Sequence, residues 1–207
     1  EAVLDVVSSG IGSLTNPKRV SDTFKSAGSG RGPGPDTVRV YIEHLKDAFI
    51  VEEAKRYDVK GRKYIGALLK YYFEDVGLRN ARLGFRQVEE THLMENVIYN
   101  ELRSRGFGVD VGLVTRYLRD ESGRQSRNQL EIDFVCNKGD RRYYVQSAYS
   151  VPDGAKWEQE SAPLSLVDDS FRKIVVVRDP VVPRHDDSGI LAVGVHDFLL
   201  DPSLMDA

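Results

Sequence analysis

The first half of the chain places apolar residues at helical spacing and then in alternation. Apolar side chains three or four positions apart predict helices over residues 1–12, 16–28 and 36–48. The alternation that follows over residues 49–65 predicts two strands joined by a turn at Lys60-Gly61. Residues 70–84 predict one more strand and a connection, and we place the end of this part near Gly84.

Two of these helices carry start signals. Asn16 suits an N-cap, and the Pro17 that follows suits the first helical position. Asp36 is expected to cap the third helix, and Val38, Tyr41, Ile42 and Leu45 form its predicted inward face. Four glycines precede this helix, at positions 28, 30, 32 and 34. They follow no strand and end in no Gly-Lys-Ser/Thr, so we interpret them as a flexible loop.

The second half of the chain has segments with helical spacing of apolar residues that alternate with segments of strand-like alternation. Helices are predicted over residues 89–105, 155–168 and 196–201, and strands over 107–120, 130–137, 141–149, 171–179 and 189–195. This order of helix, three strands, helix and strand resembles the αβββαβ core of the restriction-endonuclease-like, or PD-(D/E)XK, nucleases. The resemblance predicts an α/β class for this half and α+β for the whole chain.

The two halves predict two domains. Three helices and a hairpin resemble a winged helix-turn-helix over residues 1–84, with residues 36–48 as the recognition helix. Its glycine-rich segment is longer than the usual turn of this motif, which weakens the case for docking in the major groove. Residues 85–207 form the expected restriction-endonuclease-like domain.

The charge of the chain suggests nucleic-acid binding only in one local segment. The net charge of -3 gives no global attraction to nucleic acid or to an anionic membrane, whereas residues 17–63 hold eleven basic against seven acidic residues. The predicted hairpin concentrates five of these cations around Tyr57, as a phosphate-binding wing would. The residues predicted to contact DNA are Arg39, Lys46, Lys55, Arg56, Lys60, Arg62 and Lys63. The alternative is a solvated surface.

The composition predicts an ordinary globular protein. Hydrophobic residues make up 41% and charged residues 29% of the chain, and no apolar run approaches the roughly 20 residues of a membrane helix. The single cysteine, Cys136, cannot form an internal disulfide and is expected to be a buried apolar residue. We therefore expect a cytoplasmic location and no membrane partner.

The segment EIDFVCNKGDRRYYVQSAYS, residues 131–150, predicts a hairpin whose turn is centred on Lys138-Gly139. Strand alternation places Glu131 and Asp133 on one face and, on the partner strand, Gln146 and Ala148 on one face. An acid opposite a paired position on the next strand is one way to hold a divalent metal. Here the second strand offers an amide and a methyl group.

The nuclease chemistry requires a helix carboxylate, a strand aspartate and a Glu-x-Lys pair, which hold Mg²⁺ and position the attacking water. The resemblance maps the helix acid to Glu95, with Glu101 as the alternate, and the strand acid to Asp133. Gln146 stands where the second acid is expected, and Ala148 where the lysine is expected. Lys156 is the candidate for a displaced lysine, with Arg142 a poorer one.

Three interpretations of this set stay open. The residues form an active site that uses Mg²⁺ or Mn²⁺, they bind metal or DNA without cleavage, or the acids only hydrogen-bond neighbouring backbone groups. The four histidines are scattered and show no metal-ligand spacing. No other cofactor is predicted.

A more specific resemblance covers residues 36–200. The motifs LKDAFIVEEAKRYDVKGRKYI, KYYFEDVGLRNARLG, EN-VIYNELRSRGFGVDVG, EIDFV and YYVQSAYS are similar to the C-terminal region of bacterial and archaeal AAA-type ATPases, domain of unknown function 4143. This resemblance implies an N-terminal AAA-type ATPase as partner module and ATP as its ligand. The sequence has no Walker A motif, so ATP hydrolysis would belong to that module.

The sequence therefore supports three functional hypotheses. The first is a recognition or docking module that binds DNA or an unknown protein partner. The second is an active Mg²⁺- or Mn²⁺-dependent nuclease that uses Glu95, Asp133 and Gln146, with Lys156 in place of the lysine. The third is a scaffold for assembly of the ATPase.

Overall fold

The computed structural model describes residues 1–26, 32–119, 123 and 125–206. These residues form a mixed α+β structure, as expected. The helices are α1 Ala2–Ser9, α2 Pro17–Ser26, α3 Pro35–Asp47, α4 Val76–Arg82, α5 Glu90–Ser104, α6 Gly154–Ser165 and α7 Val195–Leu200, followed by a 3₁₀ helix, Pro202–Asp206. The strands are β1 Val51–Asp58, β2 Lys63–Phe73, β3 Gly108–Arg119, β4 Gln125–Lys138, β5 Arg141–Ala148, β6 Arg172–Val177, β7 Arg184–His185 and β8 Leu191–Gly194.

The chain divides into two compact units, each made of two segments. Unit one comprises Glu1–Lys55 and Gly66–Asn100, and unit two comprises Arg56–Ile65 and Glu101–Ala207. The turn between β1 and β2 therefore belongs to unit two, although the strands on either side of it contribute to unit one. The boundary predicted near Gly84 lies within the second segment of unit one and stays a prediction.

Unit one is built from α1 to α4, the first eleven residues of α5, and most of β1 and β2. Its apolar core includes Val7, Val38, Ile42 and Phe73, all of which are buried. The expected cap of α2 is confirmed, because Asn16 Oδ1 accepts a hydrogen bond from the Arg19 N–H at 2.8 Å. Burial of one face of each helix against this core, rather than helix propensity, stabilises these short elements.

Two expectations for α3 are wrong. The helix begins at Pro35 after Gly34, so Asp36 lies inside its first turn and pairs with Arg39 at 3.3 Å. Proline fits the first helical position because its φ is already helical and its missing N–H is not needed there. Tyr41, placed on the inward face, is 48% exposed. The buried positions Val38 and Ile42 lie four residues apart, which turns Tyr41 toward solvent.

The helix α4 is missing from the sequence prediction, which has only a strand and a connection there. Asp75 starts the helix, and its carboxylate accepts hydrogen bonds from the Gly77 and Leu78 N–H groups at 2.6 and 3.2 Å. The signal was present, since Asp75 is a good N-cap and Gly84, in the left-handed region at φ 59°, follows the last turn. The preceding run of aromatic strand residues hid it.

Unit two is built on a mixed sheet. Residues Arg56–Asp58 of β1 pair in parallel with β3, and the order continues β3, β4, β5, β6, β8 and β7. The β3–β4 and β4–β5 pairs are antiparallel, whereas β5–β6 and β6–β8 are parallel. The helix α6 packs on β4, β5 and β6. Buried residues such as Val135, Tyr144, Leu164 and Val175 form the core between this helix and the sheet.

The hairpin predicted over residues 131–150 is confirmed. Strands β4 and β5 pair from Phe134–Val145 to Lys138–Arg141, and Gly139 adopts φ 63° in the turn. Cys136 lies in β4 and is fully buried, as expected. Burial raises the pKa of its thiol, so the side chain is an apolar packing group.

A β-bulge interrupts the alternation of β4. Asp110 of β3 pairs with Val135, but Gly112 pairs with Ile132, so Asp133 and Phe134 together lie opposite the single residue between them on β3. The alternation from which we place Glu131 and Asp133 on one face is therefore interrupted at Asp133. A Cβ at Gly112 would lie 2.9 Å from Ile132 Cβ and 2.8 Å from Val135 Cγ2, so the bulge requires glycine there.

The predicted glycine-rich loop lies partly outside the described residues. Gly28, Gly30 and Arg31 belong to the part of the chain that is not described. Gly32 and Gly34 precede α3 outside any helix or strand.

Candidate functional site

Asp133 and Gln146 form a buried polar pair in unit two, where β4 leaves regular pairing with β5. Both residues are less than a tenth exposed. The Asp133 N–H donates to Gln146 Oε1 at 3.3 Å, and the Ser147 N–H donates to Asp133 Oδ2 at 2.8 Å. The two side chains thus take over backbone hydrogen bonds at the bulge, as buried amide groups require partners.

The residues beside this pair are less suited to chemistry. Ala148, at the position expected for a lysine, is 1% exposed and packs in the apolar core with Leu164 of α6. The Ser147 Oγ is buried and has no hydrogen-bond partner in the described part of the chain. The second strand therefore offers one amide and one unsatisfied hydroxyl near Asp133.

Glu95 lies on α5 within unit one, where a lysine neutralises it. Lys70 Nζ lies 2.8 Å from Glu95 Oε1, and the Tyr72 hydroxyl donates to the same oxygen at 2.6 Å. Lys70 is 4% and Glu95 7% exposed. A buried carboxylate is costly unless it is paired and hydrogen-bonded, and here it is both.

Two neighbours fit closely around this ion pair. The Tyr72 ring stacks on the Tyr99 ring at a centroid distance of 4.1 Å. Gly12, at φ 68°, approaches the Glu95 carboxylate so closely that a Cβ would lie 3.3 Å from Oε2. We call Lys70, Tyr72 and Glu95 the buried triad.

Lys70 is the residue that sequence reasoning missed. It contacts a candidate acid directly, whereas the sequence pattern points only to Lys156 and Arg142 as the nuclease lysine. A signal existed, because Lys70 interrupts the apolar and aromatic run LLKYYF of β2. A lysine within such a strand is rarely buried unless it is paired.

The other residues predicted for the nuclease site pair with neighbours outside it. Glu101, the alternate acid, lies in unit two, where its Oε1 is 2.7 Å from Arg105 Nε. This pair compensates a carboxylate on an otherwise apolar helix face. Lys156 pairs with Glu160 on its own helix at 2.6 Å, and its side chain is 36% exposed. Arg142 Nε donates to Asn137 Oδ1 at 2.7 Å.

Two of the three predicted metal ligands, Asp133 and Gln146, lie together in unit two. The Asp133 and Gln146 oxygens suit Mg²⁺ or Mn²⁺ in type. Across the described ranges, however, no group of three or more histidine, cysteine, aspartate or glutamate side chains is arranged to hold a metal ion. Within unit two the pair supplies one carboxylate and one amide, and both already accept backbone hydrogen bonds. These two side chains alone do not complete a metal centre, and we derive no step through one.

The predicted DNA-contacting residues fall into two groups. Arg39, Lys46 and Lys55 belong to unit one, where Arg39 pairs with Asp36 and Lys46 contacts both Glu43 and Glu53. Unit two contains Arg56, Lys60, Arg62 and Lys63. Among the described residues, none of these four has an ion pair. They lie on or beside the β1–β2 turn, and we call them the cationic turn.

The geometry of this turn is fixed locally. Asp58 Oδ1 accepts the Gly61 N–H at 2.9 Å, which closes the turn. Arg62 adopts φ 51°, a conformation that costs free energy for a non-glycine residue. The Arg56 Nε is buried and has no hydrogen-bond partner in the described part of the chain.

Comparison with known proteins gives a partial family match. Residues 1–89 match the model of a domain of unknown function, DUF8612. An uncharacterized protein of Haemophilus influenzae (strain Rd) is 30% identical over 201 residues, which are 97% of this chain and 45% of that protein. The chain thus spans a little under half the length of this relative.

A solved structure shows a weaker similarity. Protein VC1899 from Vibrio cholerae is 17% identical over 82% of this chain and 41% of its own chain, with a TM-score of 0.33. That score is too low to support a shared fold.

The expected membership of domain family 4143 is wrong, because the matching family model is DUF8612. The similar proteins give no support for an AAA-type ATPase, so neither that module nor ATP enters the proposals below. No helix among the described residues combines the length and apolarity needed to cross a bilayer.

Proposed function

We propose that the chain is a nucleic-acid recognition module in which a restriction-endonuclease-like core serves as a scaffold and does not cleave. Unit two supports the fold proposal. Along the chain the order is α5, whose last four residues belong to unit two, and then β3, β4, β5, α6 and β6. With two antiparallel pairs and one parallel pair, this order agrees with the αβββαβ arrangement. For unit one we propose a winged-helix relationship, supported by three helices followed by two adjacent strands.

The cationic turn is the observation that carries the proposal. Four Lys and Arg side chains lie within eight residues, and no acid among the described residues pairs with them. Some exposed cations elsewhere in the chain, such as Lys25 and Arg82, form ion pairs with nearby acids, so the turn is distinguished by the number of unpaired cations in a short segment. A group of unneutralised cations attracts the phosphate backbone, and binding then releases condensed counterions.

The polar pair of unit two supports recognition without cleavage. Asp133 and Gln146 hold the two strands together through backbone hydrogen bonds, and the position of the expected lysine is an alanine in the core. Lys156 is engaged by Glu160 on the surface of α6. In this proposal Asp133, Gln146 and Lys156 therefore stabilise the fold and do not catalyse cleavage.

Binding is tested by fluorescence anisotropy of labelled 20-nucleotide single strands and 20-base-pair duplexes at several salt concentrations. Four phosphate contacts predict a slope of about -3 to -4 in log K against log salt. The double variant Arg62→Glu/Lys63→Glu should bind at least ~10-fold more weakly, since it reverses two charges of the turn. Lys18→Glu, which reverses one exposed charge on α2, is the control and should change binding by less than twofold.

Failure to bind any of these nucleic acids at low salt would overturn the proposal and leave protein docking as the function of the turn. Equal losses in the turn variant and in the Lys18 control would indicate nonspecific charge attraction and would also overturn it.

A second candidate function is metal-dependent cleavage of nucleic acid. The buried triad favours it, because Lys70 supplies beside Glu95 the lysine and carboxylate combination that the nuclease pattern requires. The test is cleavage of single- and double-stranded DNA with Mn²⁺ by wild type and by Asp133→Ala, Lys70→Ala and Lys156→Ala. Cleavage by wild type that is abolished in Lys70→Ala and retained in Lys156→Ala, with circular dichroism showing that both variants are folded, would replace the recognition proposal.

A further inference from the structure

A cavity of about 560 Å³ opens beside the cationic turn, and three segments of unit two line it. They are the β1–β2 turn with Lys60 and Arg62, the β4–β5 turn, and the loop between α6 and β6 with Asp168 and Phe171. The volume lies within the range of about 300–1,000 Å³ that is usual for small-ligand pockets. We call it the turn cavity.

One wall of the turn cavity is aromatic and cationic. The Arg142 guanidinium lies over the Tyr57 ring at 5.4 Å and over the Phe171 ring at 5.6 Å. Phe171 lines the cavity and is 39% exposed, so part of its ring faces solvent. An exposed ring supported by a neighbouring guanidinium is a stacking surface for a planar base.

The loop that carries this ring is held in place. Asp169 Oδ1 accepts the Phe171 N–H at 3.1 Å, and Asp169 Oδ2 accepts the Tyr144 hydroxyl at 2.7 Å. Because Tyr144 is buried in β5, the aspartate ties the loop to the sheet. The stacking surface is thus formed before any ligand arrives, which lowers the ordering cost of binding.

The polar groups of the cavity divide by charge. Lys60 and Arg62 are exposed and have no ion pair among the described residues, so both are available to a phosphate. Asp140 and Asp168 also line the cavity, and their carboxylates accept hydrogen bonds from amino or hydroxyl groups. A ligand that combines a phosphate, hydroxyl or amino donors and a planar ring satisfies all three kinds of group.

We propose that the turn cavity binds one unstacked nucleotide of a single-stranded nucleic acid. Its phosphate lies at Lys60 and Arg62, and its base stacks on Phe171. This inference rests on the proposed function, since it specifies which nucleic acid the cationic turn engages. A duplex cannot insert a base without unpairing it, so the cavity favours single strands.

The experiment measures anisotropy of labelled 12-nucleotide single strands and the matched duplex with the whole chain. Phe171→Ala should weaken single-strand binding by about 5-fold to 100-fold, because one base loses its stacking partner, and should leave duplex binding unchanged. Phe49→Ala, which removes an 80% exposed ring from unit one, is the control and should have no effect. Phe171→Trp should retain binding. Arg62→Ala should reduce the magnitude of the single-strand salt slope by about 0.7.

Two outcomes separate this inference from the proposed function. Binding that depends on the cationic turn but is unchanged in Phe171→Ala overturns the turn cavity and leaves the recognition proposal intact. Absence of binding to every nucleic acid overturns the recognition proposal.

Where the single strand binds, adding millimolar AMP or dTMP tests whether the cavity also takes a free nucleotide. Displacement of the strand by free nucleotide in wild type, but not in Phe171→Ala, supports the cavity and assigns it to mononucleotides as well.

Discussion

The two units contain buried polar sites that are satisfied in different ways. In unit one, Glu95 is neutralised by Lys70 and hydrogen-bonded by Tyr72, so the site depends on side chains of opposite charge. In unit two, the Asp133 and Gln146 side chains each accept a hydrogen bond from a backbone N–H of the neighbouring strand. Charge compensation makes the first site vulnerable to loss of either partner, whereas the second acts as a substitute for ladder hydrogen bonds.

The comparison also shows why the residues that the nuclease pattern predicts are in different surroundings in the two units. The pattern asks for a helix carboxylate and a strand lysine. Unit one has a buried acid and a buried lysine in contact, and unit two has an alanine in the core where the pattern places the lysine. A motif that specifies order along the chain cannot specify which strand supplies a given side chain.

The largest expected effect is from breaking the ion pair of unit one. Lys70→Met should lower the free energy of unfolding by about 3–5 kcal/mol, because it leaves the Glu95 carboxylate buried without its cation. The measurement is urea denaturation followed by tryptophan fluorescence and far-ultraviolet circular dichroism. The double variant Lys70→Met/Glu95→Leu should recover much of the loss, since no charge is then buried. A single variant within 1 kcal/mol of wild type would contradict the role of the pair.

A smaller effect is expected from the polar pair of unit two. Asp133→Ala should cost about 1–3 kcal/mol, because the partly buried Ser147 N–H loses its acceptor. Asp133→Asn keeps an acceptor oxygen and should cost less. The same denaturation experiment with and without Mn²⁺ sharpens the comparison, and we expect no metal-dependent change in the midpoint. A rise with Mn²⁺ in wild type that is lost in Asp133→Ala would show that the pair binds metal.

The smallest effect is expected from Lys156→Ala. Its ion pair with Glu160, at 2.6 Å, is shorter than the 2.8 Å pair of Lys70 with Glu95, but its side chain is 36% exposed. Water screens such pairs, so the change should be about 0–1 kcal/mol. Thermal unfolding monitored by circular dichroism measures it, and a loss comparable to that of Lys70→Met would remove the distinction between buried and exposed pairs.

Periodicity predicted most of the elements, because it reports which side chains face a core. The α5 helix and the β4–β5 hairpin lie within a few residues of their predicted bounds. It failed where a local hydrogen bond decides the backbone, as at Asp75, which starts α4, and at Pro35, which starts α3 one residue before Asp36. These starts depend on one side chain or ring, not on a repeating pattern.

The candidate sites were less predictable than the fold. Asp133, Gln146 and Glu95 could be selected as polar residues within apolar elements, and all three are buried. The partner Lys70 is separated from Glu95 by 25 residues, and no spacing rule connects them. The bulge at Asp133 was signalled only by Gly112, a glycine in the neighbouring strand, whose meaning depends on the register between the strands.

The division of the chain has a consequence for inheritance. The polypeptide passes from unit one to unit two after Lys55, returns at Gly66, and leaves again after Asn100. No single recombination breakpoint therefore separates the two units, because each breakpoint leaves part of one unit on the wrong side. A gene fusion or duplication that preserves both must carry them together, so the buried ion pair and the cationic turn are inherited as one block.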